Sequence, residues 1–339
     1  MAVRRAAVIG CGDVAAVHFE ALETIEDIEL VAVCDTDPHQ LSAAQREHGV
    51  PGYASHEELL AKERLDVVHV TTPHDQHVQA SIDALAAGVN VIQEKPIAHT
   101  LAEGQRLVDA AAGANAKIGI CFQNRYNVSS VELRRLIDSG DLGEFNGAYA
   151  SVVWMRSPAY YQARPWRGQW ARAGGGLLIN QAIHTLDLVQ WLFGGVTTLT
   201  GHAASRRYGD VSEVEDTAEI LLEHPDGRTT AFYGTLAAPQ HRPVEIEADF
   251  GNAYAVVKRG LKVRWKDGQS RDKYPERTAN SGGRSYWGVS HELLIRDFYD
   301  QLDSSEPFWI TPDEAMKSLR ILKEVYRQSG FDAPQNAIP

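Results

Sequence analysis

The stretch that decides the fold of this chain is RAAVIGCGDVA, Arg5–Ala15. An apolar run predicts a strand that ends at Gly10, and a helical pattern then continues to about Ile25. The Gly-x-Gly-x-x-Ala spacing at this junction is typical of a turn that binds a dinucleotide. Gly10 permits the tight turn and Gly12 lets the backbone approach a pyrophosphate, whereas Ala15 still allows the helix to pack closely on the strand.

An acidic residue after the second predicted strand supports this interpretation. The helix begins near Asp13 and Val14, so a phosphate would rest on its positive end. The strand Glu29–Cys34 ends at Asp35, at roughly the 20-residue spacing where an acid accepts hydrogen bonds from the adenosine ribose. No arginine adjoins Asp35 to pair with a 2′-phosphate, so NAD is favoured over NADP. The alternative is an ordinary βαβ unit with a glycine turn.

Composition and charge limit the class of protein. The 339 residues are enough for two domains, and the net charge of −12 disfavours nucleic acid or an anionic membrane as a partner. No apolar run approaches the ~20 residues of a membrane span, and the chain leads into a strand instead of a signal peptide. Cys11, Cys34 and Cys121 lack the spacing of a zinc or redox site, so we expect a cytoplasmic protein.

The predicted helices and strands follow one pattern in the first part of the chain and a different pattern in the second. Up to residue 123, short apolar strands alternate with helices, which predicts an α/β Rossmann domain with a doubly wound parallel sheet. Beyond it, closely spaced strands between about 145 and 266 predict an α+β domain whose sheet is mainly antiparallel. We therefore expect an NAD-binding domain at 1–123 and a second domain at 124–339, with a polar loop over 266–283.

Lys95 is the most informative single residue of the first domain. It follows a buried strand and precedes Pro96, which disfavours the helical conformation at Lys95 and holds it extended. A lysine there would project into the cleft beside the cofactor, where its ammonium could stabilise a developing alkoxide. The alternative is a solvated surface lysine.

The second group of candidate residues lies on a helix predicted after three consecutive glycines, 174–176. Asn180, His184 and Asp187 follow at spacings that place them on one helical face, which would line a polar cleft. His184 is the candidate general acid/base because its pKa lies near neutrality, and Asp187 would orient its ring. The alternative is a His–Asp pair satisfied inside the core.

Other side chains are candidates for the same cleft. Arg125 and Tyr126 follow the fifth strand and line it in our interpretation. The aromatic loop 158–172 contains Tyr161, whose ring suits the C–H face of a sugar, and Arg167, which could pair with a cofactor phosphate or a substrate anion. The alternative is that this loop only covers the sheet.

These motifs, in order and spacing, resemble the Gfo/Idh/MocA family (glucose–fructose oxidoreductase / inositol dehydrogenase). The matching residues are Gly10-x-Gly12-x-x-Ala15, Thr71-Thr72-Pro73-x-x-x-His77, Glu94-Lys95-Pro96 and Gly174-Gly175-Gly176 with His184-x-x-Asp187. The resemblance implies an NAD(P)-dependent oxidoreductase of sugars, cyclitols or related polyols. It also implies an open C-terminal sheet that forms dimer or tetramer contacts, catalytic roles for Lys95 and His184, and cofactor contacts at Thr71, Thr72, Pro73, His77 and Glu94.

The chain departs from the family pattern at two positions. Asn180 stands where many members have aspartate, and because asparagine cannot relay a proton, proton transfer would depend on His184 and Lys95. His74 stands where the family has asparagine. The His74–His77 spacing suggests a metal pair, but no third ligand is apparent, so we expect no metal.

We therefore expect an enzyme that transfers hydride between NAD(H) and a secondary hydroxyl or ketone of a sugar, cyclitol or sugar derivative. His184 would be the acid/base and Lys95 would polarise the oxygen, while Asn180, Asp187 and Tyr126 would position the ring. Two alternatives remain open: a lyase or glycosidase that uses transient oxidation, and a non-catalytic NAD-binding regulator. The expected partner is a small sugar or polyol, and the expected assembly is a homo-dimer or homo-tetramer.

Overall fold

The computed structural model describes residues 3–268, 271–277 and 290–331. The chain forms two compact units. The first unit contains Met1–Gln123 and Ser290–Met316, and the second contains Asn124–Val289 and Lys317–Pro339.

Six parallel strands form the sheet of the first unit. They are β1 (Arg4–Ile9), β2 (Ile28–Cys34), β3 (Gly52–Tyr53), β4 (Val67–Val70), β5 (Asn90–Gln93) and β6 (Ile118–Ile120). Their order is β3-β2-β1-β4-β5-β6, which is the doubly wound order of a dinucleotide-binding fold. The predicted Rossmann architecture is confirmed, with the short strand β3 as an addition that the sequence analysis did not include.

Helices connect these strands, and local sequence explains where several of them start. The helices of the first unit are α1 (Ala15–Thr24), α2 (Pro38–His48), α3 (His56–Lys62), α4 (His77–Ala86), α5 (Leu101–Ala112) and α10 (Ser290–Asp300). The side chains of Asp37, Ser55 and Thr100 each accept a hydrogen bond from a backbone N–H in the first turn of α2, α3 and α5.

Residues 290–316 belong to the first unit, although the sequence analysis assigned all of 124–339 to the second domain. Helix α10 packs against α1, and the backbone N–H of Ile120 donates to the carbonyl of Ile310 at 3.0 Å. Gly119 leaves room for two rings, since a Cβ there would lie 2.6 Å from Phe308 and 3.0 Å from Phe298. A single domain boundary placed along the sequence cannot show that residues 290–316 return to the first unit, because these contacts join residues far apart in sequence.

The second unit contains an eight-stranded sheet ordered β14-β13-β12-β11-β7-β10-β9-β8. The strands are β7 (Phe145–Val153), β8 (Thr198–Ala204), β9 (Thr217–Glu223), β10 (Thr229–Thr235), β11 (Glu245–Phe250), β12 (Ala253–Val257), β13 (Gly260–Trp265) and β14 (Arg271–Pro275). All pairs are antiparallel except β7 with β10. The prediction of a mainly antiparallel sheet is confirmed, but the predicted loop 266–283 is wrong at β14, and residues 269–270 and 278–283 lie outside the described residues.

Among the described residues, five further helices lie wholly or partly within the residue range of the second unit. They are α6 (Val128–Asp138), α7 (Pro158–Ala163), α8 (Trp170–Ala173), α9 (Ile183–Leu192) and α11 (Pro312–Gln328). A π-helical turn, Leu178–Ala182, runs directly into α9. Within the part of the chain that the structure describes, no helix combines the length and the apolar character needed to cross a membrane.

Candidate active site

The turn after β1 approaches the end of β4 so closely that Gly10 has no substitute. Its φ is +94°, and a Cβ would lie 2.7 Å from the backbone nitrogen of Thr72. The hydroxyl of Thr71 donates to the carbonyl of Gly10 at 2.5 Å, which ties the two segments together. Thr71 is buried, so the structure gives it this supporting role, while Thr72 and Pro73 remain half-buried.

Gly12 and Asp35 have the features that a dinucleotide requires. A Cβ on Gly12 would meet no atom within 4 Å, so the backbone beside the start of α1 faces open space where a pyrophosphate fits. Asp13 and Val14, at this helix start, are half-buried. Asp35 accepts hydrogen bonds from the backbone N–H of Cys11 at 2.7 Å and of Asp37 at 2.8 Å, which holds its carboxylate beside the turn. These residues fit NAD.

His77 connects the Thr-Pro segment to the lysine-proline segment. Its side chain is buried, with Nε2 2.8 Å from the carbonyl oxygen of Thr72 and Nδ1 2.8 Å from that of Pro96. These contacts make His77 a brace between two loops and differ from the expected direct contact with the cofactor. His74 is also buried, with its ring centroid 5.7 Å from that of His77.

Lys95 is half-buried, whereas its neighbours over 91–98 are all buried. The Lys95–Pro96 peptide bond is cis, a feature that the sequence analysis did not predict. The backbone N–H of Lys95 donates to Oε2 of Glu94 at 3.2 Å. The strand end thus holds Lys95 by its backbone while its side chain keeps some access to solvent.

Glu94, which the family resemblance places among the cofactor contacts, is buried among histidines that the sequence analysis did not predict. Its Oε1 lies 3.2 Å from Nε2 of His18 and 3.1 Å from Nε2 of His291. The two Nδ1 atoms of His18 and His69 lie 2.9 Å apart, and Nε2 of His69 lies 3.0 Å from the hydroxyl of Tyr299. We call these five side chains the Glu94 cluster. The sequence analysis missed its histidines, and the only signal was that each falls at an apolar position of a helix or strand.

The pKa values of the Glu94 cluster follow from its burial. Burial lowers the pKa of His18 and holds that of His69 well below the usual range. Burial alone would raise the pKa of Glu94, but hydrogen bonds from His18 and His291 outweigh it and hold that pKa well below its usual range. Glu94 is therefore an ionised carboxylate beneath Lys95.

Two groups of side chains in the described residues have ligand atoms close enough for a metal ion. Potential ligand atoms of His18, Glu94 and Cys121 lie within 4.8 Å of one another, as do those of His56, Glu57 and Asp83. The hydrogen bonds of His18 to Glu94 at 3.2 Å and of His56 to Asp83 at 2.9 Å account for these approaches without an ion. His74 and His77 belong to neither group.

The helix that follows the three glycines presents two polar side chains in the second unit. From Ala173 to Gln190, only Asn180 and His184 are half-buried, and every other residue is buried. The π-helical turn Leu178–Ala182 contains Asn180, so the 3.6-residue spacing assumed in the sequence analysis does not apply there. Both candidate side chains keep solvent access on an otherwise buried helix.

Glu215 holds the start of this helix. Its carboxylate accepts hydrogen bonds from the backbone N–H groups of Gly176 at 2.7 Å and Leu178 at 2.8 Å, and from the hydroxyl of Tyr326 at 2.8 Å. Burial raises the pKa of Glu215 to about 7 against these bonds, and it lowers the pKa of the nearby Lys323 to about 7. A Cβ on Gly176 would lie 2.0 Å from the carbonyl oxygen of Glu215, so this glycine is a packing requirement.

Asp187 pairs with Arg125, which differs from the expectation that both bind substrate. Nε and Nη2 of Arg125 donate to the two oxygens of Asp187 at 2.8 and 2.7 Å, and both side chains are 1% exposed. The hydroxyl of Ser318 also donates to Asp187 at 3.1 Å. This buried bidentate pair fixes α9 within its unit, and truncating one partner would leave a buried charge.

Tyr160, not Tyr161, contacts the candidate helix. The hydroxyl of Tyr160 accepts hydrogen bonds from Asn180 at 3.1 Å and Gln181 at 2.8 Å. Tyr161, which the sequence analysis selected for substrate binding, is 3% exposed, and its ring packs edge-on against Tyr160 at 5.1 Å between centroids. The guanidinium of Arg167 lies 4.7 Å from the Tyr160 ring centroid. Tyr126, the remaining candidate of this unit, is half-buried at the end of the turn 123–126.

The fold and the glycine turn define the class: an NAD-binding oxidoreductase with a Rossmann domain. A family model described as "Oxidoreductase family, NAD-binding Rossmann fold" matches residues 4–122, and one described as "GFO/IDH/MocA C-terminal domain" matches residues 130–254. The chain belongs to the GFO/IDH/MocA oxidoreductase family. The predictions of this family, of an enzyme and of NAD as cofactor are confirmed.

Several characterised proteins are similar over most of the chain. A D-apiose dehydrogenase of Paraburkholderia graminis is 29% identical over 78% of this chain and 70% of its own length. A trans-1,2-dihydrobenzene-1,2-diol dehydrogenase of Oryctolagus cuniculus is 27% identical over 91% of this chain and 92% of its own. The crystal structure of the WlbA dehydrogenase from Bordetella pertussis, in complex with NADH and UDP-GlcNAcA, has a TM-score of 0.83, with 27% identity and 96% coverage of both chains.

The different surroundings of the two turn glycines predict different effects of alanine. We expect Gly12→Ala to change the unfolding free energy by less than about 0.5 kcal/mol while weakening NAD binding at least about tenfold, because its methyl group would occupy the space of the pyrophosphate. Gly10→Ala should lower stability by about 1–3 kcal/mol, because of its φ and the approach to Thr72. Urea unfolding and NAD titration by fluorescence measure both, and Gly113→Ala is the control. Normal NAD binding by Gly12→Ala would contradict this assignment.

The buried histidines of the Glu94 cluster predict acid-sensitive stability. Because the pKa values of His18 and His69 are lower in the folded chain than in the unfolded chain, the unfolded chain binds more protons below pH 6.5, so stability falls as the pH drops. Each histidine contributes about 1.4 kcal/mol per pH unit to this slope. His69→Gln should make the fall between pH 6.5 and 5 shallower by about one proton, measured by urea unfolding. The same change at the exposed His39 is the control, and an unaltered slope in His69→Gln would refute the linkage.

Proposed function

We propose that this chain uses NAD(H) to interconvert a secondary hydroxyl and a ketone on a sugar, cyclitol or sugar derivative. The observation that carries the proposal is the partial exposure of Asn180 and His184 on a helix that is otherwise buried from Ala173 to Gln190. Two polar side chains that remain solvent-accessible on a buried helix are better explained by ligand binding than by core packing. The named relatives, which include an apiose and a dihydrodiol dehydrogenase, act on hydroxyl-bearing rings or related compounds and support the same class.

The roles of the side chains follow from their chemistry. The imidazole of His184 takes the hydroxyl proton during oxidation, and the amide of Asn180 orients the hydroxyl by hydrogen bonding. The role proposed for the ammonium of Lys95 is to stabilise negative charge that develops on a substrate oxygen. When bound, NAD supplies the carbon that accepts or returns the hydride. Gly12 and Asp35 are the residues proposed to hold it.

Removing either reactive side chain tests this assignment. We expect His184→Ala to lower kcat by about 10²–10⁴-fold and Lys95→Met by about 10²–10³-fold, because one removes the base and the other the oxyanion partner. The assay is NADH formation at 340 nm over a panel of sugars, cyclitols and nucleotide sugars. His202→Ala and Lys62→Ala remove the same groups from exposed positions and serve as controls.

Two outcomes of that assay would reject the proposal. Wild-type turnover in the His184 or Lys95 variant would remove the role given to that residue. Product formation from a panel compound without net NADH would instead favour the lyase or glycosidase that uses transient oxidation.

We further propose that the chain forms a homo-dimer or homo-tetramer through the sheet of the second unit. One face of this sheet carries partly exposed apolar side chains, namely Tyr149, Leu221, Tyr233 and Tyr254, which are 40–49% exposed. The strand register places them on the same side. Large apolar side chains exposed together on one face of a sheet are typical of an interaction site.

Charged residues on this face should dissociate the assembly. We expect the double variant Leu221→Lys/Tyr233→Lys to elute as a monomer with a correspondingly lower mass by light scattering, because burying two ammonium groups is costly. Trp309→Lys, an exposed position in the first unit, is the control and should keep the wild-type mass. A monomeric wild-type chain would refute the proposed assembly.

The proposed location is the cytoplasm. Cys11, Cys34 and Cys121 are all free and buried, which fits a reducing compartment. Fractionation of the source cells tests this location, and recovery of the chain outside the cytoplasmic fraction would contradict it.

A further inference from the structure

The reactive helix lies in the one long stretch of the sequence that lacks acidic side chains. Residues 145–186 contain no aspartate or glutamate, although the whole chain has 45 of them and a net charge of −12. The basic residues of the same stretch are Arg156, Arg164, Arg167 and Arg172. Asn180 and His184 therefore lie in a stretch of sequence whose permanently charged side chains are all cationic, although Glu215, from outside this stretch, binds the start of their helix.

Among these arginines, the surroundings of Arg156 give the clearest evidence for an anionic ligand. Its guanidinium carbon lies 5.2 Å from the ring centroid of Trp154 and 5.1 Å from that of Tyr160, so the half-buried group rests against two aromatic rings. Its Nη1 donates to the carbonyl of the adjacent Met155 at 3.2 Å. Its Nε is buried without a hydrogen-bond partner, and within residues 3–268, 271–277 and 290–331 no carboxylate pairs with it.

The neighbouring histidine does not supply the missing negative charge. His241 stacks on Trp154 with 4.7 Å between ring centroids and an interplanar angle of 21°. Burial, with a smaller effect of the Arg156 charge, lowers the pKa of His241. The ring is therefore neutral at neutral pH, and Arg156 remains the only charged group among these four side chains.

Tyr160 connects Arg156 to the candidate reactive helix. The ring of Tyr160 faces the guanidinium, and its hydroxyl accepts the hydrogen bond from Asn180 at 3.1 Å. One tyrosine thus separates Arg156 from the amide that we propose orients the substrate hydroxyl. A group attached to the substrate ring a few bonds from that hydroxyl would come within reach of Arg156.

We infer that Arg156 binds an acidic group, a carboxylate or a phosphate, carried by the substrate, so that the preferred sugar is anionic. A half-buried guanidinium without a carboxylate partner favours an incoming oxyanion, and a planar fork held against aromatic rings suits carboxylate and phosphate oxygens. This inference rests on the proposed function, because it takes the helix with Asn180 as part of the substrate site. The competing role is structural: Arg156 would only brace Tyr160.

Binding measurements on matched neutral and acidic sugars test the inference. Isothermal titration of the wild-type chain with NADH present would use D-glucose as the neutral sugar and D-glucuronate and D-glucose 1-phosphate as its acidic partners. We expect at least one acidic member to bind about tenfold or more tightly than its neutral partner, the usual effect of a charge-assisted hydrogen bond. Preference for a uronate identifies a carboxylate, and preference for the 1-phosphate alone identifies a phosphate.

Variants separate ligand binding from bracing. Arg156→Gln should bring the acidic-to-neutral ratio close to one without changing the affinity for the neutral sugar. Arg156→Lys, which keeps the charge but loses the fork, should retain part of the preference, and it replaces Arg156→Gln if that variant fails to fold. Arg228→Gln removes an exposed arginine from the opposite end of β10 and should behave as wild type.

The outcomes distinguish this inference from the proposed function. Equal binding of acidic and neutral sugars by the wild type, or no binding of any acidic probe, overturns the inference. Equal weakening of both classes in Arg156→Gln also overturns it and leaves the bracing role. NADH formation from neutral sugars without any acidic preference keeps the proposed function and rejects the inference. Acidic preference that depends on Arg156, without NADH formation, does the reverse.

Discussion

The parallel pairing of the first sheet is the constraint on which the rest of the structure depends. Ile9 pairs with both Cys34 and Val70, and Val70 pairs with Gln93, so four strands end at the same level. The residue after each of these strands must then lie along one edge of the sheet. These residues are Gly10, Asp35, Thr71 and Glu94. Because ligands bind doubly wound sheets at this edge, the register alone brings the glycine turn, the ribose acid and the lysine segment together.

Buried polar networks then decide which side chains remain accessible. In the first unit the ionised Glu94 is held by His18 and His291, and only the next residue, Lys95, keeps access to solvent. In the second unit Glu215 holds the start of the π-helical turn. In each network the buried carboxylate is hydrogen-bonded inside the protein, and a candidate reactive side chain lies near it in sequence. The buried networks therefore position the candidate reactive side chains but are not themselves proposed to react.

The charged residues of the chain are also distributed unevenly around the candidate site. Acidic side chains are spread over most of the sequence, yet they are absent from 145–186, which includes Asn180 and His184. The buried Arg125–Asp187 pair lies at the edge of this stretch, and its charges neutralise each other at 2.7–2.8 Å. What distinguishes Arg156 is that no such internal carboxylate accompanies it among the described residues. A half-buried cation without an internal carboxylate partner indicates an anionic ligand more than it indicates a contribution to the stability of the fold.

The sequence by itself determined the two-part architecture, the strand order class, the cofactor and the identity of the half-buried pair Asn180 and His184. These depend on local signals: apolar periodicity, the spacing of glycines, and an acid after a strand. Tertiary structure alone decided that Ser290–Met316 joins the first unit, that β14 extends the sheet, and that Asp187 pairs with Arg125. It also decided that Glu94 is buried among histidines and that a π-helical turn replaces the assumed spacing at Asn180. Periodicity assigns a side chain to a face of its own helix or strand, but a buried charge takes whichever partner the fold brings near, and that partner can be far away in sequence.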